Sequence, residues 1–256
     1  MSDPFVPRVG GILSADIAVP EHEHEVRFYS RVLTTGENPL WREDLMNNRG
    51  MPIIGLGARS AEYADLPLQW MPHIQVADVA ASVERALDLG GKELMHDGKS
   101  QWAVLLDPNG AAFGIIPVVS AEAVPPTDGV AAHVGHISWL DLTVSDASAT
   151  RDFYRQVVGW SVQDAEMEDE GERYADYNMI GDDGNPAAGI CHARGVNLGL
   201  PPIWMIYLPV GDLAESVRLV QEEGGKIIKT TRGNDGEHVY AVVQDPVGAC
   251  LALVPG

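Results

Sequence analysis

The chain has 256 residues, 45% of them hydrophobic, and 37 acidic side chains against 17 basic ones give a formal net charge of −20. That length allows one large or two ordinary domains, and the apolar fraction is that of a globular protein. The acidic balance repels phosphate backbones and anionic membranes, which argues against a nucleic-acid partner and a membrane-surface role. No apolar run reaches the length of a membrane span. The first residues, MSDPFVPRVG, have neither the basic flank nor the apolar core of a signal peptide. Two cysteines, Cys191 and Cys250, are too few for a disulfide scaffold, so a reducing, cytoplasmic setting is expected.

In chain order, ADIAVPEHEHEVRFYSRVL (15–33) reads as a strand followed by a helix. Its EHEHE segment (21–25) is expected to be a solvated first turn, because His22 and His24 would sit about 200° apart on a helix and could not share one metal ion. A short run, GMPIIGL (50–56), follows. The strand pattern QWMPHIQV (69–76) then leads into DVAASVERALDLGGKEL (78–94). Here Asp78 is a helix N-cap and Gly90-Gly91 the helix end. Two more strand-like runs flank Asp107-Pro108-Asn109-Gly110, a tight-turn signal. The Pro- and Ala-rich stretch VVSAEAVPPTDGVAAH (118–133) contains the expected linker, 121–132, between domains 1–120 and 133–256.

The second half repeats the first. LDLTVSDASATRDFYRQVV (140–158) matches 15–33, with Asp141 on Asp16 and Phe153-Tyr154 on Phe28-Tyr29. The acidic stretch 163–184 reads as a solvated hairpin, and GNPAAGI (184–190) matches GMPIIGL. After the strand pattern PIWMIYLPV (202–210), DLAESVRLVQEEGGKII (212–228) repeats the Asp-capped helix with its Gly-Gly end. Asp245-Pro246-Val247-Gly248 repeats the turn. The chain therefore predicts an α+β protein of four β-α-β-β-β units in two tandem halves.

This arrangement resembles the vicinal oxygen chelate superfamily, which includes glyoxalase I, bleomycin- and fosfomycin-type resistance proteins, and extradiol dioxygenases. The features that carry the likeness are RDFYRQVVGW (151–160), the weaker VRFYSRVL (26–33), the Asp-Pro-x-Gly turn before the last strand of each half, and SWLDLTV (138–144). The resemblance implies half-open mixed β barrels with helices outside and a small-molecule site in each concavity. It also implies metal ligands at set positions: a His, Gln or Glu seven residues before each helix-starting acid, and a Glu seven residues after the turn Asp. Counting from Glu21, Asp78, Asp146 and Asp212 gives Ser14, Met71, Trp139 and Met205; counting from Asp107 and Asp245 gives Gly114 and Ala252. None of these is a credible donor to a hard or borderline cation. No catalytic metal and no other cofactor is expected.

Strand side chains alternate, so residues five before each helix acid share a face with the seventh. Those residues are Asp16 and His73 in the first half, and Asp141 and Tyr207 in the second. Each half thus pairs a carboxylate with a ring that can carry a proton, and Asp16 with His73 is the candidate catalytic pair. Met71, Trp139, Asp141, Met205 and Tyr207 are the candidate ligand-binding residues, Trp139 offering a stacking surface to a planar molecule. Trp70 and Trp204 fall on the opposite face and are expected in the core. His192 neighbours Cys191 and is expected to be structural. Two functional readings follow. One is a binding protein that sequesters a small metabolite or drug-like compound; the other is a glyoxalase-like lyase or isomerase using an Asp/His acid–base pair. A third, interaction-only reading leaves both concavities filled. The partner expected is a small molecule, with a homodimer as one option for assembly.

Overall fold

Three helices begin where an aspartate folds back onto its own backbone. Asp78, Asp146 and Asp212 each accept a hydrogen bond from the backbone N–H three residues on, at 2.9–3.0 Å. That is the reason these residues start helices. The structure, a computed structural model, describes residues 6–36, 54–123, 137–233 and 236–256. In chain order the elements are β1 (Ile12–Val19), α1 (His22–Val32), β2 (Ile54–Ala58), β3 (Met71–Val76), α2 (Val79–Asp88), β4 (Lys92–His96), β5 (Ala103–Leu106) and β6 (Ala112–Pro117). Then come β7 (Trp139–Val144), α3 (Ala147–Val158), β8 (Ser161–Asp169), β9 (Glu172–Ile180), β10 (Pro186–His192), β11 (Trp204–Val210), α4 (Leu213–Glu222), β12 (Lys226–Arg232), β13 (His238–Gln244) and β14 (Cys250–Pro255). Three β-α-β-β-β modules are therefore complete. Residues 37–53 of the first module, which include most of GMPIIGL, lie outside the described residues, as does most of the expected linker. No helix among the described residues is long and apolar enough to cross a membrane.

The chain forms two compact units, and neither is one half of the sequence. Unit 1 combines residues 1–13, 71–124 and 139–204; unit 2 combines 14–70, 125–138 and 205–256. Each unit thus takes one module from each half. In unit 1 the strands run β3-β6-β5-β4 and β7-β10-β9-β8, and unit 2 contains the run β11-β14-β13-β12 and the β1–β2 pair. The sheets are mixed and do not close into barrels. Within each module the first strand pairs in parallel with the last, and the remaining pairs are antiparallel hairpins.

Unit 1 is centred on an aromatic cluster. Phe113, Phe153, Tyr154, Trp160 and Trp204 meet edge-on or tilted, with ring centroids 5.0–6.3 Å apart. Tyr154 also answers why the Asp-Pro-x-Gly turn recurs. Asp107, fully withdrawn from solvent, closes its own turn by accepting from the backbone N–H groups of Asn109 and Ala111. Its other oxygen receives the Asn109 side chain at 3.1 Å and the Tyr154 hydroxyl at 3.4 Å. Trp204 Nε1 donates to that hydroxyl at 2.8 Å. Unit 2 holds the same triad: Tyr29 donates to Asp245 at 2.7 Å and Trp70 Nε1 reaches the Tyr29 oxygen at 3.3 Å. Each turn aspartate thus anchors a tyrosine on the α-helix of the other half. Trp70 and Trp204 are fully buried, as expected of core residues.

Two expectations are corrected. Glu25, assigned to a solvated first turn, is fully buried, because it falls on the same helical face as Phe28, Tyr29 and Val32. The acidic stretch 163–184 does form a hairpin, β8–β9, but Asp176 within it is buried, where it accepts from the backbone N–H of His192.

Candidate functional site

The four candidate positions five residues before the helix acids share one device. Each lies across a parallel ladder from a residue with almost no side chain: Asp16 from Gly55, His73 from Gly114, Asp141 from Gly189 and Tyr207 from Ala252. Residues paired in this way project from the same face of a sheet. At three of the four, a Cβ would have to displace the facing side chain. A Cβ on Gly55 would collide with the Asp16 carboxylate, one on Gly114 with the His73 ring, and one on Gly189 with the Asp141 carboxylate. Each side chain therefore lies flat over a glycine, where any larger residue would displace it. That signal was present in the sequence only as the glycine itself; the pairing partner was not.

In unit 1 the geometry is most developed around Trp139 and Asp141, two residues apart on β7 and on one face. Trp139 Nε1 donates to Asp141 Oδ1 at 2.7 Å, and both side chains remain partly exposed. The neighbouring strand adds Cys191, on the Gly189 face. Burial pushes the Cys191 thiol well above its ordinary range, and the carboxylates of Asp141 and Asp176 push it further. It is a protonated, weakly polar lining group and not a nucleophile. Asp176 accepts from the backbone N–H of His192 at 2.8 Å and bonds the His192 Nδ1 at 3.1 Å. The His192 ring packs edge-on against Tyr174, which lies under the Arg194 guanidinium. His192 is thus held by its neighbours, consistent with a structural residue. Also in unit 1, Met71 and His73 share a face of β3; Met71 is buried and His73 partly exposed.

In unit 2, Asp16 on β1 is partly exposed. Met205 is buried, and Tyr207, on the same face of β11, stacks on Tyr240 of β13 with centroids 5.7 Å apart. Tyr240 thus lies on the Tyr207 face.

The donor set does not fit a chelated metal. The positions that the family pattern assigns to ligands carry a hydroxyl, two buried thioethers, an indole already bonded to Asp141, a glycine and an alanine. Over Gly114, where a carboxylate would be required, the His73 ring fills the space. Among the described residues no three His, Cys, Asp or Glu side chains come together in a way that could hold a metal ion.

Residues 14–116 match the family model described as "Glyoxalase-like domain", and residues 133–253 match that of the "Glyoxalase/Bleomycin resistance protein/Dioxygenase superfamily". CFP32 of Mycobacterium tuberculosis (strain CDC 1551 / Oshkosh), a glyoxylase by its assigned name, is 30% identical over 120 residues, 46% of this chain and 45% of the relative. The anthracycline biosynthesis protein DnrV of Streptomyces peucetius is 28% identical over 131 residues, 46% of each chain. Both matches span less than half the length of the relative. Among solved structures, 2,2',3-trihydroxybiphenyl 1,2-dioxygenase of Sphingomonas wittichii RW1 superposes with a TM-score of 0.57 at 16% identity, covering 97% of this chain and 91% of that one. A Mn(II)-bound glyoxalase of Novosphingobium aromaticivorans gives 0.56 at 16% identity, covering 97% and 82%. At these identities the structures share the fold.

Proposed function

Because the chain belongs to the vicinal oxygen chelate superfamily, we propose that it is a small-molecule-binding member that holds a planar ligand against Trp139 without a chelated metal. The observation that carries this reading is the Trp139–Asp141 pair on its glycine floor. The indole N–H orients one carboxylate oxygen, Gly189 keeps the space above the ladder clear, and both side chains stay open to solvent. A carboxylate so placed accepts a hydrogen bond from a ligand whose face lies on the indole. Met71, in the same unit, adds an adaptable apolar contact to the proposed lining, and Met205 and Tyr207 would line the corresponding face of unit 2. The net charge of −20 favours a neutral or cationic ligand. A relative named for anthracycline biosynthesis is compatible with a fused-ring compound.

The test is isothermal titration with compounds drawn from a thermal-shift screen of planar metabolites that includes an anthracycline. Asp141→Asn should weaken binding roughly ten- to a hundred-fold, the equivalent of about 1.5–3 kcal/mol for a hydrogen bond to a charged group. Equal affinities for both forms would remove Asp141 from the site.

A second reading, an acid–base enzyme with His73 acting in unit 1 and Asp16 in unit 2, is favoured by the glycine floors under both side chains. A methylglyoxal–glutathione assay, with and without added nickel or zinc, separates the two. Turnover that His73→Ala abolishes would support the enzyme; no turnover under either condition counts against that activity.

A further inference from the structure

The two Asp–Tyr–Trp triads differ in what stands one helical turn before the tyrosine. In unit 1 that residue is Thr150, whose hydroxyl meets the side-chain amide of Asn109 at 3.0 Å, and Asn109 in turn donates to Asp107. In unit 2 the equivalent residues are Glu25 and Val247. The valine can donate nothing, and the glutamate brings a second carboxyl toward Asp245. Glu25 has no exposed surface, and neither of its side-chain oxygens has a hydrogen-bond partner. Asp245 is 2% exposed.

The surroundings say which of the two is charged. Asp245 Oδ1 accepts from the backbone N–H groups of Gly248 and Ala249 at 2.8 and 2.7 Å, and Oδ2 accepts from Tyr29 at 2.7 Å. Three donors stabilise an anion there, and none is aimed at Glu25. The arginines of α1 are engaged elsewhere: Arg27 and Arg31 both pair with Glu223. Of the other groups facing Glu25, Glu21 adds negative charge, Tyr29 is spent on Asp245, and the partly exposed His24 ring lies 3.9 Å from one oxygen. Two buried carboxylates without a cation between them cannot both ionise at modest cost.

We propose that Glu25 and Asp245 form a carboxyl–carboxylate pair holding one proton, with Glu25 the protonated member, and that this pair makes the stability of unit 2 pH-sensitive.

The direction follows from linkage. Burial lifts the Glu25 carboxyl from 4.5 to about 8, with the Asp245 charge adding to it. Between those two values the folded chain keeps a proton that the unfolded chain has lost. The stabilisation is therefore complete below the lower value, declines across the window, and is gone above about pH 8. Ionisation of Glu25 would push α1 away from the turn that feeds β14, the strand whose Ala252 lies opposite Tyr207.

Carbon-13 NMR of the wild-type chain labelled at glutamate side-chain carboxyls tests this without any variant. One resonance should titrate near pH 8, far from the rest. If every glutamate titrates in the ordinary carboxylate range, the proposal is overturned. Thermal melting from pH 5 to 9 provides the second arm. The midpoint of the wild type should fall with pH relative to Glu25→Gln, and the double replacement Glu25→Thr with Val247→Asn, which installs the unit 1 arrangement, should remove the same component. A His24→Gln control should retain the wild-type fall. Parallel pH profiles for wild type and Glu25→Gln, or a fall that disappears with His24 alone, would refute the assignment.

Discussion

Replacing Tyr154 by Phe removes one oxygen from the middle of the unit 1 triad, and the structure dictates which partner suffers. Asp107 keeps three donors, the two backbone N–H groups and the Asn109 amide, so the loss of a 3.4 Å contact costs it little. Trp204 is different. Its ring is fully buried, and the Tyr154 oxygen, 2.8 Å away, is the acceptor for its N–H. Orphaning a buried donor costs about 1–3 kcal/mol. Tyr154→Phe should therefore destabilise by about 2 kcal/mol, lowering the melting midpoint by roughly 4–8 °C at about 2–4 °C per kcal/mol for a chain of this size. The diagnostic measurement is a double-mutant cycle. Trp204→Phe is itself costly, because it shrinks a buried ring. In that background, however, Tyr154→Phe leaves no orphaned N–H and should cost less than about 1 kcal/mol, a coupling within the usual range for contacting residues. Melting curves at one pH for the four proteins give the coupling directly. An equal penalty for Tyr154→Phe in both backgrounds would show that the indole N–H does not depend on the tyrosine, and the reasoning would be wrong.

Gly91→Ala should destabilise far more than Gly90→Ala, because a Cβ at residue 91 would lie 2.8–2.9 Å from the backbone oxygens of Leu106 and Ala86, which cannot yield. At residue 90 it meets nothing, and the cost is left-handed backbone strain of about 1–2 kcal/mol; comparative melting checks the order. Glu21, the N-cap of α1, makes no side-chain capping bond, unlike Asp78, Asp146 and Asp212, so Glu21→Ser should raise stability by about 1 kcal/mol, while Asp78→Ala should lower it by a similar amount in denaturant titration. Gly189→Ala should leave the melting midpoint within a few degrees, because only the movable end of Asp141 stands in the way, yet it should impair ligand binding as much as Asp141→Asn does; unchanged titration curves would detach the glycine floor from the site.

The elements that the sequence makes legible are those specified by residues near one another in the chain. Asp78, Asp146 and Asp212 announce helices because their side chains reach backbone only three positions away. Asp107 and Asp245 announce turns for the same reason. The Trp139–Asp141 bond is nearly as local, since alternation along β7 puts residues two apart on one face. What the sequence conceals is the choice between two similar partners. Phe28-Tyr29 and Phe153-Tyr154 are near copies, and nothing in either says that Tyr154 serves Asp107 while Tyr29 serves Asp245. That choice depends on which modules combine, a long-range outcome. Glu25 was misread because its charge outweighed its position: the helical phase set by Phe28, Tyr29 and Val32 had already turned it inward. The glycine floors escaped notice because Gly55, Gly114 and Gly189 acquire their meaning only from the strand opposite.

The composition of the units also sets an order of events on the ribosome. The modules of unit 1 are neighbours in the chain, 71–124 and 139–204, so everything that unit needs has been synthesised once Trp204 emerges. Unit 2 joins residues 14–70 to residues 205–256. The earliest module to appear must wait for the last one, roughly 3–10 s longer than unit 1 at the usual rate of synthesis. During that delay Phe28, Tyr29 and Trp70 have no Asp245 to receive them. An apolar helix face left uncovered in a nascent chain is what holdase chaperones bind, so the first module, and not the last, is where co-translational protection would be needed.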